Sequence, residues 1–196
     1  MRLGDELVDL CEANGWRLNS TLHCSSLLRA WQTAGLAAGR LTERLGKVVE
    51  VVSTNALHER SVGSAANLTV SEIEAVVEAD PRYSDLPEGW KSKAHTRLPF
   101  PGAESLAEAG ERVARYVEEA LVSVEAADEP QLVVFIAHGA SLRHAGVELG
   151  LFETYDKARS VSMYHARPVV YATAESGAWQ HVAGEWKPRR QETRID

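Results

Sequence analysis

The sequence predicts an α/β fold, a three-layer α/β/α sandwich in which helices cover both faces of a mostly parallel sheet. Candidate strands alternate with amphipathic helical segments along most of the chain. The run 131–137 is continuously apolar, which is typical of a central parallel strand that is covered on both faces. His138 and Gly139 follow this run directly, at the carboxyl end of the predicted strand, where ligands bind in sheets of this class.

The first third of the chain predicts two helices and two strands. Residues 4–13 place apolar side chains at helical spacing, and 21–24 alternate as a short strand does. A helix is expected from Leu27 to a stop at Gly46, because glycine favours the position after a helix. The β-branched residues of 48–52 predict the second strand.

The remainder predicts an irregular segment followed by further helices and strands. Residues 57–102 are mostly irregular, with one short helix after Thr69, whose spacing to Glu72 predicts a capping box. Long helical periodicity follows over 104–124, and another helix is expected from Ser141. The closing strands are predicted at 163–164, 169–172 and 179–182.

Length and composition predict one soluble domain. The 196 residues suit a single domain over 1–196, with 57–102 as an irregular insertion near the site. The longest apolar run is far too short to span a membrane, and no export signal opens the sequence. Two cysteines form no disulfide framework, so we expect a cytoplasmic location.

Charge and histidine spacing limit the possible partners. A net charge of −7 with no basic stripe argues against nucleic acid. None of the seven histidines has the spacing of a zinc site; His138 and His144, for example, are six residues apart. The sequence therefore predicts no metal and no cofactor. It leaves a homo-oligomer open.

Arg29 and His138 are the residues that best suit a phosphate site. A guanidinium is a permanently charged fork that matches phosphate oxygens, and an imidazole supplies a donor whose charge changes near neutral pH. Each also has a plainer interpretation. Arg29 on its own fits an exposed helical arginine, and His138 on its own fits a hydrogen-bonded core histidine.

Four segments in order resemble the signatures of the histidine phosphatase superfamily, also called the phosphoglycerate mutase-like family. The first reads Ser-x-Leu-x-Arg-Ala-x-x-Thr-Ala, and the second reads Leu-x-Glu-Arg-x-x-Gly. The third is Gly-x-Glu-Ser-Leu before a long helix, and the fourth is His-Gly after a late strand. Each is weak alone, but their order over most of the chain is specific. In this sequence they are 25–34, 57–63, 102–106 and 138–139.

This resemblance implies a role for each matched residue. Arg29 would bind phosphate, His138 would donate a hydrogen bond to a phosphoryl oxygen, and Gly139 would let the backbone approach the ligand. Glu59 would be the general acid that protonates the leaving oxygen, although a surface glutamate is its plainer interpretation. Arg60 is expected to brace the loop. We interpret His23 and His58 as structural.

The sequence also departs from the family pattern. The family opens with a strand that leads into Arg-His-Gly, whose histidine is the nucleophile, and the 196 residues contain no such tripeptide. The first strand is therefore apparently absent. Val62 and Ala140 stand where mutases carry a tyrosine and an asparagine, which favours a phosphatase-like substrate class.

Three interpretations of function follow. A small phosphorylated molecule is the expected partner, but loss of a nucleophile can lower the rate by about 10⁶. The chain is then a weak or inactive phosphohydrolase, or a non-catalytic pseudoenzyme that serves as a binding or scaffold protein. Alternatively, the true start lies upstream and supplies the missing segment.

Overall fold

The centre of the molecule is a three-stranded parallel sheet. The computed structural model describes residues 2–124, 129–173 and 177–189. Strand β1 comprises Arg17–Ser25, β2 comprises Glu50–Thr54 and β3 comprises Gln131–Ile136. Their order is β2-β1-β3, and both pairings are parallel, so the three carboxyl ends meet at one edge of the sheet. The predicted α/β class is confirmed.

Helices cover both faces of this sheet. They are α1 (Arg2–Asn14) and α2 (Leu28–Leu45) on one face, and α4 (Leu106–Val122) and α5 (Gly139–Glu148) on the other. Two further helices, α3 (Val70–Ala79) and α6 (Tyr155–Ser160), lie away from the sheet. Leu132 of β3 packs into the core that α1 and α2 form, whereas Phe135 packs against the core between α4 and α5. Adjacent strand residues point to opposite faces, which produces the three layers. Within the described ranges, no helix is long and apolar enough to cross a membrane.

The predicted helix ends are close to the observed ones. Gly46 has a left-handed φ of 64° and donates its N–H to Thr42, as the glycine stop after α2 requires. Thr69 and Glu72 form the predicted capping box of α3. Helix α5 begins two residues before the predicted start at Ser141, and β2 begins two residues after the predicted 48. The largest shift is in β1, which begins at Arg17, four residues before the predicted 21.

The prediction that β3 is a central strand is wrong. Within the described ranges, β3 pairs only with β1 and lies at the edge of the sheet. Residues 133–136 are only partly buried. The apolar run indicates that both faces of the strand are covered by helices, but it does not indicate how many strands pair with it. The number of paired strands depends on segments that are far away in sequence.

The C-terminal strands form two separate antiparallel pairs and do not extend the parallel sheet. Strand β4 pairs with β7, and β5 pairs with β6. The bounds are Val161–Met163 for β4, Val170–Thr173 for β5, Trp179–Ala183 for β6 and Trp186–Pro188 for β7. The segment 57–102 has its own small apolar core, in which Ile73, Trp90 and Phe100 are buried.

Candidate functional site

Polar side chains gather at the carboxyl edge of the parallel sheet. Ser25 is the last residue of β1, and Arg29 lies in the first turn of α2 just beyond it. His138 follows β3 and occupies the N-cap position of α5, where its side chain makes no capping hydrogen bond. Because parallel strands end at the same edge, these segments meet although more than 100 residues separate them in sequence.

His138 is buried and held by a serine. Its side chain is 5% exposed, and its Nε2 lies 2.8 Å from the Oγ of Ser25, which is itself fully buried. That oxygen also accepts the backbone N–H of Leu27 at 3.2 Å, which fixes its position. Burial first, and the positive charge of Arg29 second, lower the pKa of His138 to about 4. At neutral pH the ring is therefore uncharged and keeps one N–H donor.

Arg29 stands close to His138 with its guanidinium exposed. Its charge contributes to the lowered pKa of both His138 and His58, so it lies within electrostatic reach of the two rings. The guanidinium makes no hydrogen bond to any described residue. Its donors are therefore available to a ligand at the N-terminus of α2, where backbone N–H groups also favour an anion.

Glu59 lies at the N-terminus of α5. Its Oε1 accepts the backbone N–H of Arg60 at 3.0 Å and that of Ser141 at 3.2 Å. Its negative charge partly opposes the lowering of the His138 pKa, so the two side chains are neighbours. Gly139 is the first residue of α5. The structure thus brings Arg29, Glu59, His138 and Gly139 into one cluster.

An ion pair between Arg112 and Glu104 holds the loop that carries Glu59. Arg112 of α4 donates from Nε and Nη2 to the two carboxylate oxygens of Glu104, each at 2.8 Å, and from Nη1 to the carbonyl of Ala56 at 2.8 Å. Glu104 also accepts the backbone N–H of Ser61 at 3.1 Å. Burial opposes ionisation of Glu104, but the bonds from Arg112 and Ser61 outweigh it and lower the pKa.

His58, which the sequence analysis interprets as structural, lies within electrostatic reach of His138. Its Nε2 lies 2.6 Å from the Oγ of Ser26, which donates to Asn55. Burial, and then the charge of Arg112, lower the pKa of His58. His23, by contrast, is on the α4 face of the sheet, where it bonds to Tyr116 at 2.9 Å and packs on aromatic rings.

Three residues in or beside the cluster were missed from the sequence: Ser25 as the partner of His138, Arg112 as the anchor of the loop, and Arg143 beside Gly139. A usable signal existed for Arg143. A long side chain on a helix points back toward the N-terminus, so Arg143, four residues after Gly139, reaches the first turn of α5. Among the described residues, no group of three His, Cys, Asp or Glu side chains is arranged to hold a metal ion.

Comparison with known proteins agrees with this geometry. Residues 11–178 match the sequence profile of the Histidine phosphatase superfamily (branch 1). The chain belongs to that superfamily. No curated protein sequence gives a significant match.

Solved structures support the same fold. A mycobacterial glucosyl-3-phosphoglycerate phosphatase, solved with VO3, is 24% identical with a TM-score of 0.63, covering 96% of this chain and 84% of its own. Bacillus stearothermophilus YhfR is 18% identical with a TM-score of 0.63, covering 92% and 79%. Mycobacterial hydrolase 2 is 20% identical with a TM-score of 0.57, covering 97% and 78%. At these identities the likeness concerns the fold.

Proposed function

We propose that this histidine phosphatase family member binds the phosphoryl group of a small phosphomonoester at the carboxyl edge of its sheet. The observation that supports this most directly is the convergence of Arg29, Glu59 and His138 from three distant segments. Arg29 supplies a charge-assisted fork, His138 a neutral donor, and Gly139 a close backbone approach. Glu59 is the candidate to protonate the leaving oxygen.

The family reaction requires a nucleophile that attacks phosphorus and forms a phosphohistidine. The 196 residues contain no Arg-His-Gly, and the two histidines of the cluster, His58 and His138, are each engaged with a serine hydroxyl. If His138 attacked phosphorus, its donor to the phosphoryl oxygens would be lost. We therefore propose that these residues bind the phosphomonoester and turn it over poorly or not at all. A non-catalytic binding or scaffold protein is the second candidate.

A phosphatase-like substrate class fits better than a mutase one. Val62 and Ala140 lack the polar side chains that mutases carry at the matching positions. A mycobacterial protein of the same fold is a phosphatase for glucosyl-3-phosphoglycerate. We extend only the reaction class to this chain, since the identity is 24%.

Titration with inorganic phosphate and tungstate tests the phosphoryl site. We expect weak binding by the unmodified chain and a loss of at least about tenfold for Arg29→Ala, because a charge-assisted bond contributes about 1.5–3 kcal/mol. Arg115→Ala removes an exposed arginine of α4 and serves as the matched control. Calorimetry measures both. Equal affinities for the unmodified chain and Arg29→Ala contradict the role of Arg29.

The same preparation tests catalysis. After exposure to a phosphomonoester, mass spectrometry of the intact chain should find no acid-labile phosphohistidine. Phosphate attached to His23, His58 or His138 would contradict the proposal and identify a working nucleophile.

A further inference from the structure

A serine hydroxyl and an imidazole form a close pair beside the candidate phosphoryl site. The Oγ of Ser26 lies 2.6 Å from the Nε2 of His58, although 32 residues separate the two in sequence. The same oxygen lies 2.5 Å from the Oδ1 of Asn55. A hydroxyl in contact with an imidazole is the arrangement that makes serine a nucleophile, because the ring can accept the proton that the hydroxyl must lose. Binding of a phosphoryl group does not by itself require such a pair.

The backbone on both sides of this pair is fixed by hydrogen bonds. The N–H of Ser26 donates to the carbonyl of Thr54 at 3.2 Å, which ties the end of β1 to the end of β2. The Nη1 of Arg112 donates to the carbonyl of His58 at 3.4 Å, and Leu57, which precedes His58, is fully buried. The fold therefore holds the hydroxyl and the ring at their short distance before any ligand binds, as a catalytic pair requires.

The surrounding charges keep the ring of His58 available as a base. Burial, and then the positive charge of Arg112, lower the pKa of His58, so the ring is uncharged at neutral pH. Glu104 acts in the opposite sense, because its negative charge stabilises the imidazolium. In serine–histidine–carboxylate sites, the carboxylate has this same effect on the imidazolium that forms during the reaction. His58 can therefore take up a proton and hold it.

Asn55 controls the direction of the hydroxyl proton. A serine hydroxyl has one proton, so while it donates to the Oδ1 of Asn55 the ring of His58 must donate to it. The Nδ2 of Asn55 makes no hydrogen bond to any residue that the structure describes. Rotation of the carboxamide therefore breaks no other bond, and it turns Nδ2 toward the Oγ of Ser26. The hydroxyl then donates to His58, which is placed as a general base.

Ser26 lies next to both groups that are proposed to bind the phosphoryl group. Its neighbour Ser25 holds the Nε2 of His138 at 2.8 Å, and Arg29 follows in the first turn of α2. The charge of Arg29 lowers the pKa of both His58 and His138, so the guanidinium lies within electrostatic reach of the two rings. Ser26 is exposed, so a ligand can reach its hydroxyl.

We propose that Ser26 is a nucleophile that accepts the phosphoryl group, with His58 as its general base. The bond from Oγ to phosphorus forms, the bond from phosphorus to the leaving oxygen breaks, and the hydroxyl proton passes to His58. The leaving oxygen takes its proton from Glu59 or from water. Water then attacks the phosphoserine and releases inorganic phosphate, and His58 returns its proton to the departing Oγ. The inference rests on the proposed function, because the reaction takes place at the same phosphoryl site.

The ester p-nitrophenyl phosphate tests the nucleophile, because its leaving group departs without a proton and does not need Glu59. After an acid quench, tandem mass spectrometry should find one phosphoryl group, on Ser26. Phosphoserine survives acid, whereas phosphohistidine does not. Ser26→Ala should form no adduct and should release nitrophenolate at least about 100-fold more slowly. Ser71→Ala removes an exposed hydroxyl of α3 and is the matched control, so it should equal the unmodified chain in both measurements.

The pH profile separates a general base from a structural histidine. Release of nitrophenolate should fall as the pH drops through the pKa of His58, because the protonated ring cannot accept the hydroxyl proton. His58→Gln keeps a hydrogen-bonding side chain but cannot titrate. Its rate should be about 100-fold lower and should lack this step in the profile. A His58→Gln variant with the rate and the pH profile of the unmodified chain overturns the proposal.

Transfer to an added alcohol covers the case in which the phosphoserine is hydrolysed faster than it forms. One shared phosphoserine gives the same ratio of alkyl phosphate to inorganic phosphate from p-nitrophenyl phosphate and from phenyl phosphate. A ratio that differs between the two esters overturns the proposal. So does a Ser26→Ala variant that turns over p-nitrophenyl phosphate as fast as the unmodified chain.

Inorganic phosphate distinguishes failure of this inference from failure of the proposed function. If phosphate binds and Arg29→Ala weakens it, but the unmodified chain neither forms phosphoserine nor turns over the ester through Ser26, the inference is wrong and the proposed function stands. If phosphate does not bind and no adduct forms, both fall together.

Discussion

Two arginines, the partly exposed Arg112 and the buried Arg143, flank the loop that carries Glu59, and their hydrogen bonding differs. Arg112 donates to both oxygens of Glu104 and to the carbonyl of Ala56. Arg143 donates to no described residue. The first arginine holds the loop 55–61 against α4. The second stands beneath the first turn of α5 with its donors unused.

This difference in hydrogen bonding suggests different roles for the two arginines: Arg112 stabilises the fold, and Arg143 is available to a ligand. Buried polar groups are nearly always satisfied in folded proteins, so Arg112 follows the general rule and Arg143 breaks it. Local violations of such rules concentrate at functional sites. The comparison therefore predicts effects of opposite sign. Loss of Arg112 should destabilise the fold, and loss of Arg143 should stabilise it.

The largest expected effect is on stability when Arg112 is removed. Arg112→Met leaves the partly buried carboxylate of Glu104 and the carbonyl of Ala56 without their donor, so we expect the free energy of unfolding to fall by about 3 kcal/mol. Urea titration measures it. Arg115→Met, an exposed arginine of the same helix, is the control and should change stability by less than about 0.5 kcal/mol. If Arg112→Met and Arg143→Met shift stability in the same direction, the comparison fails.

The next effect is a loss of stability in acid that His138 causes. Its folded pKa is about 4 and its ordinary value is 6.5, so the unfolded chain takes up a proton in this window while the folded chain does not. Stability is therefore fully present above about pH 6.5 and is lost as the pH falls toward 4, by up to about 3 kcal/mol. His138→Gln cannot titrate, and its stability should decline less over the same range.

The pKa of His138 should respond differently to loss of Arg112 and to loss of Arg143. The charges that lower its pKa include Arg112 but not Arg143. In NMR titrations, Arg112→Met should therefore raise the pKa of His138, and Arg143→Met should leave it in place. An equal shift in both variants would place Arg143 nearer to the ring than the structure has it.

The smallest effect is expected for Gly139→Ala. The added methyl group would meet only the Nη1 of Arg143, at the ordinary contact distance of 3.5 Å, so stability should change by less than about 1 kcal/mol. Gly110→Ala is the contrast, because its Cβ would lie 2.7 Å from the backbone of His144 and should destabilise the contact between α4 and α5. Similar unfolding temperatures for the two variants would contradict this.

Much of the fold was predictable from short-range patterns. The stop at Gly46, the capping box of Thr69 and the helical stripe of α4 each depend on residues within about one or two turns, so the sequence displays them directly. The site segments around Arg29 and His138 were also predictable. Each lies at a strand-to-helix junction, and parallel strands bring such junctions to one edge.

Other features had no local signal. The run 131–137 predicted a strand that is covered on both faces, but not its place at the edge of the sheet. Apolar side chains indicate packing of helices on the two faces, and they carry no information about backbone pairing with neighbouring strands. The contact between His58 and Ser26, 32 residues earlier, had no signal in the residues next to either one. Three of the four closing strands were predicted, but β7 (Trp186–Pro188) was not, nor was the pairing into two small antiparallel units.

The sequence by itself determined the fold class, the helix ends and the segments that carry Arg29, Glu59, His138 and Gly139, since propensity, capping and periodicity act within a few residues. Only the tertiary structure decided which charges are satisfied. Arg112 and Arg143 are the same residue type on neighbouring helices, and nothing near them in sequence tells them apart. Whether a buried guanidinium finds a carboxylate depends on how α4, α5 and the loop 55–61 pack, because hydrogen bonds need atoms within about 3 Å.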